Sequence, residues 1–496
     1  MKLEQLIKEL TCINIKGELD KEILGVAYDS RKVGVQSAFV CIKGFSVDGH
    51  KYIHQAIKSG ATALIVEDDV ILSDDENVTL IKVDDTRKAL SIIAAQWFGH
   101  PASKLHLIGI TGTKGKTTTS NIIKAIFEEN GDQIGMIGTM GAYIAGEKFE
   151  TCNTTPESYE LQELFSKMVE KGCKYAVMEV SSQALLQGRT RGLIFEEGIF
   201  MNVSEDHIGT GEHEHKDFEE YVTCKQMLFD QSKLAIVNID DPSYKRMCER
   251  IEQVHTFSCK TKADLMARNI DNRWELGFIG TTFELSGAFS DIININMAGA
   301  FNVQNSLASI MVGYLNGISL DVIKRALQKV SVKGRMQLLT SAAHLTTIII
   351  DYAHNALSVE NLLSTLKEYK PRKLICMFGS GGNRVRQRRY DMGSMAAKYA
   401  DLIIVTTDNP RDEAVEDINK DIIRGIDTYQ GKYEIILDRK EAIHYLIDHS
   451  TKDDIIVFIG KGHEEYQEIK GVKYEFSEEK IVEEYIKSIA DNFTTI

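Results

Sequence analysis

Ile110-Thr111-Gly112-Thr113-Lys114-Gly115-Lys116-Thr117-Thr118 is the stretch that decides the fold. The apolar run Leu105–Gly109 before it reads as a buried strand, and Ser120–Phe127 after it has helical periodicity. Strand, glycine-rich turn and helix together form a cradle in which backbone N–H groups and a helix N-terminus meet an anion. Lys116 adds a mobile charge, and Thr117 offers a hydroxyl to Mg²⁺. Gly112, Thr113, Lys114, Gly115 and Thr118 complete the phosphate site. The pattern is a shortened P-loop, with Ile110 where the usual motif has glycine and Gly109 before it. An ordinary glycine turn has no need of Lys-Thr-Thr at that spacing.

The chain has 496 residues, too long for one core, and length alone suggests roughly three domains of about 150 residues. Its 58 basic and 72 acidic residues leave a net charge of −14, the opposite of a nucleic-acid-binding balance. A local basic pocket for an anionic small substrate remains compatible with that charge. The 8 cysteines contain no CxxC pair, which fits a reducing, cytoplasmic setting with free thiols. Met1–Lys8 reads as the start of an amphipathic helix and not as a signal peptide. No apolar run approaches the roughly 18 residues of a membrane span.

Short strands and helical pieces make residues 1–100 a small α/β unit, closed by Trp97-Phe98-Gly99-His100-Pro101. Residues 101–333 carry the P-loop and an alternation of strands and helices that implies a mostly parallel sheet covered on both faces. Within them, 264–297 reads as an antiparallel insertion. Residues 334–496 repeat the α/β alternation as a Rossmann-like unit. The expected fold is therefore three α/β domains.

Polar residues gather at strand C-termini, the edge where open α/β sheets bind ligands. Glu179 ends a strand beside the P-loop and reads either as a Mg²⁺ ligand or as a solvated carboxylate. His207 reads as a ligand or second-metal contact, or as a structural histidine. Lys225 reads by composition as one surface lysine among many. Three turns, Gly379–Arg384, Thr407–Arg411 and Gly460–Glu464, suit a zwitterion: arginine for a carboxylate, acids for an ammonium.

Taken in order, these motifs resemble the Mur ligases, the ATP-dependent amide-bond ligases of peptidoglycan synthesis. Asp29-Ser30-Arg31, Asp48-Gly49-His50, Asn153-Thr154-Thr155-Pro156, Glu179–Gln183, Gly299–Asn305, Gly334-Arg335-Met336 and Asp351–His354 carry the resemblance with the P-loop and the three turns. It spans essentially the whole chain. Within the family, the pattern is most similar to members that add meso-2,6-diaminopimelate to UDP-N-acetylmuramoyl-L-alanyl-D-glutamate through an acyl phosphate.

The resemblance implies roles residue by residue. Ser30, Asp48, Gly49 and His50 would hold the uridine diphosphate end. Thr154, Thr155, Ser181, Gln187 and Arg189 would contact the muramoyl-dipeptide. Lys116 would face the γ-phosphate, Thr117 and Glu179 would hold one Mg²⁺, and His207 would contact a second. Lys225 falls on the lysine that relatives carbamylate to help hold Mg²⁺. Asn302 and Asn305 fall in the adenine region, and Arg335 and Asp351 reach phosphate and ribose. Arg384, Asp408, Asn409, Arg411, Gly460 and Glu464 form the diaminopimelate pocket. Arg411 would pair with the distal carboxylate that lysine lacks. The implied cofactors are ATP and Mg²⁺, with small-molecule substrates and a monomeric enzyme. Nucleotide and amino acid on separate domains imply movement between them.

Several positions depart from the family pattern. Asn383 replaces the usual Asp, Gln337 the usual Glu, and Asn355-Ala356 the usual Thr-Pro. The stretch 208–217 is longer than in typical diaminopimelate enzymes and closer to some lysine-adding relatives; its His213 and His215 are expected to be solvated. The rival readings are the same reaction with lysine or lanthionine, folylpolyglutamate synthase, and a P-loop regulatory module that hydrolyses nucleotide without ligation.

Overall fold

The computed structural model describes residues 1–44, 47–72, 77–205, 208–209, 214–275, 278–339 and 346–494. They form two compact units: Met1–Leu265 with Asn305–Ile323, and Met266–Gln304 with Lys324–Ile496.

The first unit contains two sheets. In the smaller, the strands lie in the order Asn14–Lys16, Thr79–Lys82, Ala61–Val66, Ser37–Val40, Gly25–Ala27. Asn14–Lys16 runs antiparallel and the rest are parallel. Helix Thr86–Phe98 covers this sheet. Asp85 caps it by accepting from Arg87 N and Lys88 N, and Gly99 ends it at φ +72°. The N-terminal helix is only Leu3–Leu6, shorter than its amphipathic pattern suggests.

In the larger sheet, the P-loop strand His106–Thr111 is central, between Phe195–Phe200 and Tyr175–Glu179. Ser232–Asn238 and Val254–Ser258 extend one side and Ile134–Gly138 the other, all parallel. The run Leu107, Ile108, Ile110 is fully buried because both faces are covered. A hairpin, Gly141–Ile144 and Glu147–Phe149, adds an antiparallel edge.

In the second unit, the strands Leu265–Glu275, Phe278–Gly287 and Asp291–Ile295 are neighbours in that order, the last pair antiparallel. Ile279 and Ala298, with Trp274 against them, share a core with Leu362, Leu366 and Tyr369. Packing therefore places this insertion with the C-terminal α/β elements.

The main sheet of that unit runs Gln337–Leu338, Thr347–Asp351, Asp454–Ile459, Lys373–Phe378, Leu402–Val405, Tyr433–Ile435. All but the first strand are parallel. Thus the turns after Phe378, Val405 and Ile459 share one edge. A hairpin, Tyr466–Ile469 with Val472–Glu475, follows the last of them.

Candidate active site: a phosphate cradle and a zwitterion pocket

The cradle of the first unit is built by close backbone approach. Gly112 sits at φ +156°, where a Cβ would lie 2.9 Å from Met201 Cβ. Gly115, at φ +92°, precedes helix Lys116–Glu129, and a Cβ there would come within 2.5 Å of Asn305 Oδ1. Asn202 fixes the loop: its carbonyl accepts from Thr113 N at 2.9 Å, and its Oδ1 accepts from Lys114 N at 2.9 Å. Lys116 Nζ lies over the loop, donating to Gly112 O at 2.6 Å.

Glu179 ends its strand 1% exposed, so the solvated reading is wrong. Its carboxylate accepts from Thr117 Oγ1 at 3.0 Å, Thr139 N at 2.9 Å and Thr139 Oγ1 at 3.1 Å. Carboxylate and hydroxyl oxygens set together beside a phosphate cradle suit a hard divalent cation. Thr139, absent from the sequence reading, could have been found as the residue after strand Ile134–Gly138.

Around Glu179 the structure gathers most of the residues matched to the muramoyl-dipeptide. Thr154 Oγ1 lies 3.1 Å from Thr139 Oγ1. Thr155 Oγ1 donates to Glu179 O and accepts from Ser181 N. Arg189 donates to Thr155 O at 2.8 Å and to Gln187 Oε1 at 2.7 Å.

Ser30 and Asp48–His50 lie in the smaller sheet module. Ser30 opens a 3-10 turn capped by Asp29, and Gly49 opens another capped by Asp48. His50 uses both ring nitrogens internally, Nδ1 with Asp48 Oδ1 at 2.7 Å and Nε2 accepting from Glu67 N at 3.1 Å.

Lys225 is not a surface lysine. It is 1% exposed on helix Phe218–Gln226, with Nζ 4.2 Å from the centre of the Tyr221 ring. The Tyr221 hydroxyl meets Thr113 Oγ1 at 3.0 Å, which joins this helix to the cradle. His207 and His213 lie outside the described residues. His215 corrects the expectation of solvation. It is 0% exposed, its Nε2 is 2.8 Å from Ser182 Oγ, and its ring packs on Tyr221. Loop membership suggested solvent; Tyr221, on the helix that follows, and Ser182, 33 residues earlier, bury it.

In the second unit Gly334, Arg335 and Asp351 form one knot. Asp351 accepts from Met336 N and Ala353 N, both at 2.8 Å, and Arg335 lies over the Tyr352 ring. Gln337, one of the departures, accepts from Gly334 N at 2.8 Å and steadies the same turn. Asn302 Nδ2 donates to Ala298 O within its own helix start.

The three turns expected to make a zwitterion pocket do converge. Lys461, fully buried, reaches Asp408 Oδ1 at 3.2 Å, Asn409 Oδ1 at 3.1 Å and Glu464 Oε2 at 3.8 Å. Asn409 Nδ2 donates to Glu464 at 2.8 Å. Burial, reinforced by Asp408, raises the Glu464 pKa. At Gly460, φ is +104° and a Cβ would press on Asp408. Arg411 is held at φ +51°, its Nε donating to Glu468 at 3.0 Å and its Nη1 to Gly382 O at 2.8 Å. Arg384 is exposed in the same glycine turn. Arg389, fully buried, forks onto Glu413 at 2.7 and 2.9 Å and donates to Gly381 O. That fork holds the Glu413 carboxyl down at about 2. Asn383 donates to Asp412 at 2.7 Å, a contact an aspartate could not make without repulsion. Sequence inspection singled out neither Lys461, Arg389 nor Glu468; Lys461 stood inside a quoted turn, and only convergence of strands reveals it.

A P-loop cradle with a buried acid, joined in one chain to a Rossmann-like unit holding a mixed-charge pocket, defines a nucleotide-using α/β enzyme of more than one substrate. The chain belongs to the Mur ligase family. Residues 22–98 match the Mur ligase family catalytic domain, 110–313 the Mur ligase middle domain and 334–462 the Mur ligase glutamate ligase domain. It is 42% identical over 489 residues to the UDP-N-acetylmuramoyl-L-alanyl-D-glutamate–2,6-diaminopimelate ligase of Clostridium perfringens (strain 13 / Type A), covering 97% of this chain and 99% of that one. The ligase of the same name from Clostridioides difficile (strain 630) is 40% identical, covering 99% and 100%. A solved structure of a ligase so named superimposes with a TM-score of 0.71 at 28% identity, covering 99% of both chains.

Proposed function

We propose that this chain is an ATP-dependent ligase that joins meso-2,6-diaminopimelate to UDP-N-acetylmuramoyl-L-alanyl-D-glutamate. The observation that carries this reading is the Asp408–Asn409–Arg411–Glu464 pocket, in which a part-buried guanidinium stands beside two acids and a buried lysine. A lone lysine substrate offers no distal carboxylate for Arg411. Full-length likeness to two relatives bearing that ligase name supports it.

An amide does not form from a carboxylate and an ammonium in water without activation. The substrate's D-glutamyl carboxylate attacks the γ-phosphate of ATP, giving an acyl phosphate and ADP. Backbone N–H groups of Gly112–Lys116 and the helix start receive the phosphates, and Lys116 turns from the loop carbonyls toward the γ-phosphate. Thr117 and Glu179 would hold Mg²⁺, with Lys225 as its carbamate adding an oxygen; His207 is the further contact the family likeness suggests. That ion supplies electrostatic relief of phosphoryl charge. Thr154, Thr155, Ser181, Gln187 and Arg189 orient the muramoyl-dipeptide, and Ser30 with the Asp48–His50 turn receives its uridine diphosphate. Asn302, Asn305, Arg335 and Asp351 serve the nucleotide.

The amino acid is held by charge. Arg411 and Arg384 face carboxylates, while Asp408 and Glu464 attract ammonium groups. A neutral amine then attacks the acyl carbon, and phosphate leaves through a tetrahedral intermediate. Positioning and charge placement are the protein's main contributions.

Phosphate release with each substrate omitted in turn tests the reading, using meso-diaminopimelate, lysine, lanthionine and ornithine. Turnover that needs every substrate and favours diaminopimelate is expected. Preference for lysine reassigns the pocket; release without the uridine nucleotide makes the chain a nucleotide hydrolase instead.

A further inference from the structure

Glu157 lies between two arginines that come from different sheet modules of the first unit. Arg87 stands in the first turn of helix Thr86–Phe98, against the smaller sheet. Its Nη1 is 3.2 Å from Glu157 Oε2. On the other side, Arg189 Nε is 3.0 Å from Glu157 Oε1. Side-chain exposures of 21%, 16% and 12% mean that all three charges are largely withdrawn from water. In that setting an ion pair is screened less than at the surface. A parallel link joins Asp85, which caps the same helix, to Arg191.

The guanidinium of Arg189 shows why this matters. It has five N–H bonds in a rigid plane. Thr155 O takes one from Nη1 and Gln187 Oε1 takes one from Nη2. Glu157 faces the Nε edge as an ion pair whose N–H is not well aligned. Among the described residues, that leaves one further N–H on each Nη. A carboxylate is bound well by such a pair only if the plane is held. Thr155 and Gln187 hold two of its nitrogens, and the Glu157 carboxylate sets a charge against the third. Arg87 in turn fixes Glu157 from the module that carries Ser30 and His50.

We infer that Glu157 is a positioning residue that aims Arg189 at the muramoyl-dipeptide and, through Arg87, ties that aim to the module receiving the uridine end. The inference rests on the reading of the Arg189 pocket given above. It assigns Glu157 a role in binding one substrate and none in the phosphate cradle or the amino-acid pocket. Removing its charge leaves two arginines around a neutral amide, so Arg189 loses its partner and is repelled by Arg87.

Steady-state kinetics of the full chain test this, with each substrate varied in turn. Glu157→Gln is expected to raise KM for the UDP-muramoyl-dipeptide about tenfold, with kcat and the KM for ATP and diamino acid within about twofold. Glu157→Asp, which keeps the charge, is expected within about threefold of the parent. In an Arg189→Ala background, Glu157→Gln is expected to add less than about twofold, because the two act as one unit. Arg87→Gln, which leaves Glu157 in place, gives a smaller rise of the same sign and serves if Glu157→Gln does not fold. Unchanged KM in both variants overturns the inference. So does an equal rise in all three KM values, or a full tenfold effect persisting without Arg189. If the parent itself turns over no UDP-muramoyl-dipeptide, the functional reading falls first and this inference with it; parental turnover with unaltered variants removes the inference alone.

Discussion

Replacing Lys461 with methionine removes the buried cation that bonds Asp408 and Asn409 and pairs with Glu464. Its ammonium lies 3.2 Å from Asp408 and 3.8 Å from Glu464, and its side chain is fully buried. Methionine keeps most of the volume, so the loss is one of charge and hydrogen bonds. Two acids, 10% and 18% exposed, then face each other with no counter-charge between them. Breaking a buried pair by deleting one partner costs about 3–5 kcal/mol. The acids keep some contact with water, so the lower end, about 3 kcal/mol, is expected. At a urea slope of about 2 kcal/mol per molar, the unfolding midpoint falls by roughly 1.5 M. Trp274 belongs to this unit, so its fluorescence in a Trp97→Phe background reports the transition. The penalty has a pH signature. Loss of the neighbouring cation adds to the burial that already raises the Glu464 pKa, so the cost is present above that raised value and shrinks as acid neutralises Glu464. A midpoint moved by less than about 0.3 M, or a loss independent of pH, refutes the argument that Lys461 compensates two buried acids.

Gly382→Ala places a Cβ 1.8 Å from Pro410 O, so the glycine turn and the turn carrying Arg411 must separate. KM for the diamino acid is expected to rise at least about tenfold while KM for ATP stays constant, by initial-rate assay. The raised Glu464 pKa, caused by burial and then by Asp408, means its folded form favours the proton. Its contribution to stability is therefore present below the ordinary carboxylate range and is lost as pH rises through the folded value. Affinity for an ammonium runs the other way and strengthens over that interval, and Glu464→Gln should flatten the KM–pH profile. Lys225→Ala is expected to lower kcat by at least about a hundredfold, with partial recovery in short carboxylates; full activity removes Lys225 from the metal site.

The phosphate cradle was legible because it is local: strand, glycine turn and helix are contiguous, and their chemistry follows from adjacent residues. The strands of the second unit were legible for the same reason, as apolar runs ending in Gly, Asp or Asn. Burial of single polar side chains was not. Lys225 reads as a surface residue from its charge alone, and His215 from its place in a polar loop. Tyr221 and Ser182 bury His215, and Tyr221 lies under Lys225, only once a helix and a strand end meet. Lys461 and Arg389 were missed likewise, since Arg389 forks onto Glu413, 24 residues away, and Lys461 reaches Asp408, 53 residues away. Within the insertion after residue 264, Phe278–Gly287 and Asp291–Ile295 pair antiparallel as expected, but packing with the second unit depends on Trp274 and Ile279 finding partners near Leu362 and Tyr369. The hairpins Gly141–Phe149 and Tyr466–Glu475 are too short for a periodic signal.

The central claim, that ATP energises the substrate's carboxylate and not merely the protein, is tested by oxygen transfer. UDP-muramoyl-dipeptide labelled with heavy oxygen in its D-glutamyl γ-carboxylate, turned over with ATP and diaminopimelate, is expected to yield phosphate carrying one labelled oxygen per amide formed. Amide formed with unlabelled phosphate contradicts the acyl-phosphate route, and labelled substrate recovered intact beside spent ATP contradicts ligation altogether.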